Sequence, residues 1–317
     1  MKKHNSRWRK LLINIIQKTG ILPVFGMAVI AFAIINHNFR SPLNMLNILQ
    51  QNTVIGIIAC GMTLMLIVGG FDLSVGSVAA LAGLFGAYGF LKNFYLGLLG
   101  AIATGVFIGS INGFFISKVK INPFVTTLGT MIIARGMVLI IGGGYPVSGF
   151  PMSYNVIGMG SIAFIPIATL VWVILILISH YVLNHTLFGQ YIYAVGGNEK
   201  AANLSGINSD FIKFKVFLLG SIFASLAGII LVLRTMSATA YMASAYELKV
   251  IAACVVGGCT LGGGKGNILG TVIGVLLMGG IGNVLHILRV SPYWEDAVTG
   301  IIIIVAVSVQ KLTEKLE

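Results

Sequence analysis

Charge is scarce in this chain of 317 residues: only 9% of its side chains are Asp, Glu, Lys or Arg, and just eight are acidic. So thin a charged complement cannot clothe a water-soluble domain. Cysteine is scarce as well. Cys60, Cys254 and Cys259 lie in apolar or glycine-rich stretches without CxxC spacing, which excludes a disulfide framework or a thiolate metal centre and leaves them as small packing residues. No HExxH occurs, His180 and His185 stand five apart rather than at the i, i+4 spacing of a helix-borne metal pair, and no Ser/His/Asp or Cys/His set has a local motif. Neither a catalytic nor a metal site is expected. Long polar segments are missing too, so any energy-converting or ligand-capturing domain is expected on another chain.

What is present is apolar surface: 57% hydrophobic residues and a mean hydropathy of +0.99. This composition predicts an all-α polytopic membrane protein. Charges punctuate the sequence, and between them about ten transmembrane helices are read, at 20–36, 50–70, 74–91, 95–117, 122–142, 164–183, 213–234, 248–262, 268–288 and 297–310. The eighth is too short for a plain crossing. Residues 1–18 form a basic cytoplasmic N-terminus, residues 19–310 the transmembrane domain with a cytoplasmic connection at 184–215, and residues 311–317 a cytoplasmic tail. The first span has the length of a retained helix and lacks the small-residue site of a cleaved signal.

The net charge of +12 would suggest nucleic acid in a soluble protein. Here the basic residues sit between apolar segments, so membrane lipid is the expected partner and nucleic acid is not. With both termini cytoplasmic, most Lys and Arg residues fall inside, the exceptions being Arg40, Lys92, Arg234, Lys249 and Arg289 at outer positions and Arg135 within a span.

Glycine interrupts the apolar pattern twice, at Gly69-Gly70-Phe71-Asp72-Leu73-Ser74-Val75-Gly76-Ser77 and at Gly257-Gly258-Cys259-Thr260-Leu261-Gly262-Gly263-Gly264-Lys265-Gly266. Broken helices at membrane depth persist only where protein or a cavity satisfies the freed backbone groups, and paired breaks in two halves suggest a transporter. The halves also echo one another. Gly105, Gly113, Pro123, Phe124 and Thr130 match Gly274, Gly282, Pro292, Tyr293 and Thr299 at a constant offset of 169, which the assumed topology makes an inverted repeat. Small residues at fourfold spacing (Ala101, Gly105, Gly109, Gly113; Gly220, Ala224, Gly228; Gly270, Gly274) predict close helix packing within one subunit. The tract Cys259–Gly266 is not a phosphate loop, because Cys259 replaces its first glycine and Gly266 its Ser/Thr.

The longest hydrophilic stretch, Asn184 to Lys215, predicts a short helix over Glu199–Ser205 ended by Gly206, with Ala201, Ala202 and Leu204 as an apolar face suited to a partner's groove. Together with Gly61-Met62-Thr63-Leu64, the block around Asp72, Ala194-Val195-Gly196-Gly197-Asn198-Glu199, Leu204-Ser205-Gly206-Ile207-Asn208 and the run from Tyr246-Glu247-Leu248 to Gly266, it resembles the permease subunits of ABC-type monosaccharide importers. The nearest likeness is to ribose-type and autoinducer-2 permeases, over residues 20 to 310. The resemblance implies a bacterial inner-membrane subunit with three kinds of partner: an extracytoplasmic sugar-binding protein, a second permease copy or a related permease, and a separate ATP-binding cassette ATPase that uses ATP and Mg. No cofactor is expected on this chain. By the same resemblance Gly197, Asn198, Glu199, Ala201, Ala202, Ser205 and Gly206 form the loop that couples to the ATPase.

Gly69, Gly70, Asp72, Ser74, Gly76, Gly262, Gly263 and Gly264 are expected at helix breaks that act as hinges, with Asp72 favoured as a structural cap over a solute contact. Arg135, charged and inside a span, requires carbonyl or carboxylate partners, Glu247 among the candidates. Phe71, Asn112, Asn122, Tyr246, Asn283 and Trp294 join Arg135 and Glu247 as candidates for a translocation path, as hydroxyl-matching or aromatic groups. Autoinducer-2 or another polyol-like solute is the alternative cargo. An ATP-independent channel or carrier is the rival class, weakened by the scarcity of intramembrane carboxylates.

Overall fold

Polar caps start most of the long helices. In the computed structural model, described over residues 22–35, 37–291 and 293–314, Ser41 accepts from the Asn44 amide at 3.2 Å and Pro42 opens α2 (Pro42–Ile67), after α1 (Leu22–Ile35). Asn93 caps α4 (Phe94–Ser117), which follows α3 (Val75–Phe90), and Asn122 with Pro123 starts α5 (Pro123–Gly142). Such side chains satisfy amides that a helix start leaves free, and proline at the first position gives up none that is needed. Beyond the short α6 (Asn155–Met159) come α7 (Ile167–His185), α8 (Leu187–Gly197), α9 (Glu199–Leu204), α10 (Ser209–Thr235), α11 (Tyr246–Val256), α12 (Ile268–Ile287) and α13 (Tyr293–Glu314). The basic N-terminal segment 1–18 and residues 315–317 of the tail lie outside the described residues.

Each span expected from the sequence coincides with one of these helices. Among the described residues six helices are long and apolar enough to cross a membrane: α2, α4, α5, α7, α10 and α12. Of the others, α3 has 16 residues and α11 has 11. At ~1.5 Å per residue α11 covers roughly half of a ~30 Å hydrocarbon core, so it is a half-helix completed by irregular chain. Several expected limits move. The second span begins at Pro42 rather than 50 because the polar residues Asn44, Asn47, Gln50 and Gln51 are helical, and α10 begins at Ser209 under an Asn208 cap. Helix α13 passes residue 310 to Glu314. The connection 184–215 is also more helical than expected, since α8 precedes the short α9. Four two-residue strands depart from a purely helical chain: β1 (Val147–Ser148) pairs antiparallel with β4 (Ser237–Ala238), and β2 (Ser161–Ile162) with β3 (Ile165–Pro166).

Helices α2 and α10 form the centre. In each, 78% of an 18-residue window is buried, against 22% for α5, which is peripheral. Helix α10 packs on α4, α3 and α2; helix α2 packs on α12 and α11 as well; α3 packs on α4 and α5, and α11 on α12 and α13. Small residues set these approaches. A Cβ on Gly109 would lie 2.9 Å from the Leu218 Cα, and one on Gly105 would lie 2.8 Å from the Ser221 carbonyl oxygen, so the α4 stripe is spent on α10. Gly228 faces the Ala79 carbonyl and Gly274 the Ala253 carbonyl in the same manner. All three stripes thus pack within this chain.

Candidate functional site

The two glycine blocks meet. Ile67, the last residue of α2, accepts from the Gly264 amide at 2.8 Å, joining the end of α2 to the α11–α12 connection. The last turn of α8 packs into the same place: a Cβ on Gly196 would collide with the Ile67 carbonyl, and one on Gly263 would lie 2.8 Å from the Gly69 Cα and 2.9 Å from the Gly196 oxygen. Three backbones therefore touch with no side chain between them. Gly69, Gly263 and Gly264 hold φ of 94°, 89° and 77°, a region that favours glycine. Tyr193 closes the joint by donating from its hydroxyl to the Gly266 carbonyl at 2.7 Å. Gly262 is exposed at its edge, and Gly70 packs against Phe217 and Pro123.

From this junction α9 projects. Asn198 caps it, accepting from the Ala201 amide at 3.0 Å, Ser205 donates back to the Ala201 carbonyl, and Gly206 ends it at φ 84°. Of the expected apolar face, Ala201 and Leu204, three apart, share the exposed side of the helix, and Ala202 leaves it. Positions two apart lie on opposite sides of a helix. Ala202 turns inward, whereas Leu204 is 91% exposed. A charge cluster fixes the helix to its neighbours: Glu199 accepts from Lys213 at 2.6 Å and from Ser209 at 3.1 Å, Lys120 lies 3.8 Å from Glu199 and pairs closely with Asp210, and Lys118 lies 3.9 Å from Asp210. Partial burial opposes ionisation of Glu199, but the Lys213 contact, the Ser209 hydroxyl and the Lys120 charge outweigh it and hold the carboxyl below the usual range. Between this cluster and Gly69 lies a pocket of about 220 Å³, with the exposed Asn122 on its rim.

Asp72 is fully buried and engaged. Its Oδ1 accepts from the Ser74 amide at 2.6 Å and the Ser74 hydroxyl at 2.5 Å, so it closes a tight turn ahead of α3. Asn112 on α4 donates to Oδ2 at 3.3 Å, and its own Oδ1 accepts from Thr130 on α5 at 2.6 Å. Phe71 stacks edge-on to Phe124, their centroids 6.2 Å apart. Asp72, Asn112 and Phe71 thereby bind the break to α4 and α5.

The remaining path candidates gather in two polar pockets elsewhere. Tyr246 and Asn283 line one of about 330 Å³ with Asn52, Arg234, Lys249 and Glu295. Lys249 pairs with Glu295 at 2.7 Å, and Asn283 exchanges two 2.9 Å bonds with Asn44. Arg135 and Glu247 line the other, of about 300 Å³. Arg135 donates to the carbonyls of Ala240 at 2.7 Å and Met242 at 2.8 Å, clamping a turn in which Met236, Ala243 and Ala245 all hold positive φ. Non-glycine residues keep such backbone only where their surroundings fix it. Trp294 is exposed and lines neither pocket.

Sequence reasoning missed Tyr193, Lys120, Ser209, Asp210 and Lys213. Single polar residues at span borders look like solvated anchors, and only tertiary proximity separates them. The Gly196-Gly197 pair carried a signal, since adjacent glycines before a helix cap mark close backbone approach. Among the described residues no group of three His, Cys, Asp or Glu side chains is placed to hold a metal ion.

Long apolar spans around the half-helix α11, glycine breaks joined at one end and a surface helix standing out from that joint define a multi-pass membrane permease. No solved structure matches the chain. Sequence comparison is informative: the chain belongs to the family described as branched-chain amino acid transport system / permease component, whose profile matches residues 44–307. It is 43% identical over 278 residues to the ribose import permease protein RbsC of Escherichia coli strain K12, covering 86% of this chain and 87% of that one. It is 39% identical to RbsC of Bacillus subtilis strain 168, covering 93% and 92%, and 38% identical to the L-arabinose transport system permease protein AraH of Escherichia coli strain K12, covering 93% and 91%. As a permease, the chain is a transport component rather than an enzyme.

Proposed function

We propose that the chain is the membrane-spanning subunit of an ATP-driven importer for a monosaccharide, a pentose or hexose of the ribose kind, in a bacterial inner membrane. The names of its relatives, which include ribose and L-arabinose permeases, support the cargo. The observation that carries the mechanism is the joint of Gly69, Gly196 and Gly263 beneath α9. A partner ATPase that seats the exposed Leu204 in a groove moves α9, and the joint passes that movement to the end of α2 and to the α11–α12 connection together. Sugar enters from an extracytoplasmic binding protein, and ATP and Mg act on the ATPase chain. The path forms between two permease subunits, identical or related.

The packing supports a span count of ten and an inverted repeat. Exchanging α2 with α10, α3 with α11, α4 with α12 and α5 with α13 maps the principal helix contacts onto one another: α10 on α4 becomes α2 on α12, and α3 on α5 becomes α11 on α13. Lys120 and Arg289, equivalent at the offset of 169, both hold positive φ, 64° and 57°, before their Asn122-Pro123 and Ser291-Pro292 tracts. The repeat is then inverted, with both termini cytoplasmic.

Proteoliposomes holding the permease with its ATPase and binding protein test the reading. Uptake of D-ribose, L-arabinose or D-allose that requires both ATP and the binding protein, and stops with vanadate, is expected. Equal uptake without ATP would overturn it in favour of a channel or secondary carrier.

A further inference from the structure

The pocket between the start of α3, α5 and the turn into α11 holds two opposite charges that the fold leaves unjoined. Arg135 and Glu247 line it together with Ser77, Gly136 and Ser244. Arg135 commits one nitrogen, Nη1, to the Ala240 and Met242 carbonyls. Glu247 keeps Oε2 buried with no hydrogen-bond partner. Native proteins leave few buried acceptors unmade, and those they leave call for an explanation. That oxygen packs onto α3, where a Cβ on Gly76 would lie 2.6 Å from it, and the pocket is reached by the rest of the Glu247 side chain.

A guanidinium and a carboxylate facing one cavity select for a ligand that both accepts and donates. A cation or an anion would satisfy one charge and oppose the other. Adjacent hydroxyl groups suit both, one donating to the carboxylate while its neighbour accepts from the guanidinium. The volume of about 300 Å³ sits at the lower end of small-molecule sites, roughly 300–1,000 Å³. We propose that this pocket is a sugar-binding subsite of the permease itself, in which the Glu247 carboxylate and the Arg135 donors other than Nη1 hold a pair of neighbouring ring hydroxyls. The assignment rests on the importer reading for its cargo.

Gly136 provides the test. No heavy atom lies within 4 Å of a Cβ built there, so Gly136→Cys places a thiol at the pocket without a clash, while Cys60, Cys254 and Cys259 are buried. Labelling of the permease–ATPase complex in nanodiscs by a small methanethiosulfonate is followed with and without millimolar D-ribose, L-arabinose or D-allose. At least one sugar is expected to slow labelling threefold or more, with the protection abolished by adding Glu247→Gln. Unslowed labelling with all three sugars overturns the subsite, and so does a Gly136→Cys thiol that never reacts. In proteoliposomes Glu247→Gln and Arg135→Met are each expected to lower uptake at least tenfold. The two readings fail separately. Normal ATP-driven uptake without protection removes the subsite and leaves the importer, whereas protection without ATP-driven uptake leaves the subsite and removes the importer.

Discussion

Asp72 shows how a carboxylate in an apolar chain is kept. Its two oxygens face three donors, the Ser74 amide, the Ser74 hydroxyl and the Asn112 amide, and Asn112 is in turn oriented by Thr130. Asp72→Asn replaces one acceptor by a donor that points at the Asn112 donor; flipping Asn112 relieves that clash, with the Thr130 hydroxyl accepting and keeping its bond to the Thr126 carbonyl, but gives up the bond from Asn112 Nδ2 to the Ser74 hydroxyl. Leaving buried polar groups unmade in this way costs about 1–3 kcal/mol. The substitution is therefore expected to lower the thermal stability and yield of the purified complex while leaving uptake per assembled complex near normal, since among the described residues Asp72 bonds only to Ser74 and Asn112. Lost uptake at unchanged assembly would instead place Asp72 on the path. The sequence marks Asp72 as an acidic residue ahead of a helix, but not its bond to Asn112 forty positions away or the Thr130 contact behind it, because nothing local distinguishes Asn112 or Thr130 from other polar residues in spans.

At the scale of the element, α9 is too short to be stable alone, since a helix of six residues falls far below the length that propagation can sustain. It is held by its Asn198 cap, by inward-facing Ala202 and by the Glu199 cluster. Because the Glu199 pKa is depressed in the folded chain, its ion pairs contribute fully above the ordinary glutamate range, near ~4.3, and the contribution is lost as pH falls through the lower folded value. Exposed pairs of this kind contribute up to ~1 kcal/mol. At pH 7, Glu199→Gln is thus expected to speed amide hydrogen exchange over Glu199–Leu204 by up to about fivefold. The difference should vanish once the medium is acidic enough to protonate Glu199 in the wild type; a difference that persists there would assign the effect to packing rather than charge. The position of α9 was readable from Gly197, Asn198 and Gly206. Which of its faces is buried was not, because six residues carry too little periodicity to show an inward side.

For the whole molecule, hydropathy located the helices but not their roles. Nothing in composition separates the central α2 and α10 from the peripheral α5, since all are apolar; the difference lies in which helices they touch. Orientation is the large-scale feature open to direct measurement. Tyr145 is exposed in the α5–α6 connection and Ser205 stands beside α9. In intact cells a membrane-impermeant maleimide is expected to label Tyr145→Cys, and to label Ser205→Cys only after permeabilisation; the reverse pattern would invert the topology. The glycine joint has a consequence for timing. Contacts between bare backbones have no rotamers with which to absorb displacement, and close-packed interiors transmit strain rather than dissipating it. A displacement of α9 then arrives at both halves of the bundle without slack. Under the proposed importer mechanism, one side of the barrier is then expected to shut as the other parts, in a single concerted step that spares the membrane an intermediate leaking from both ends.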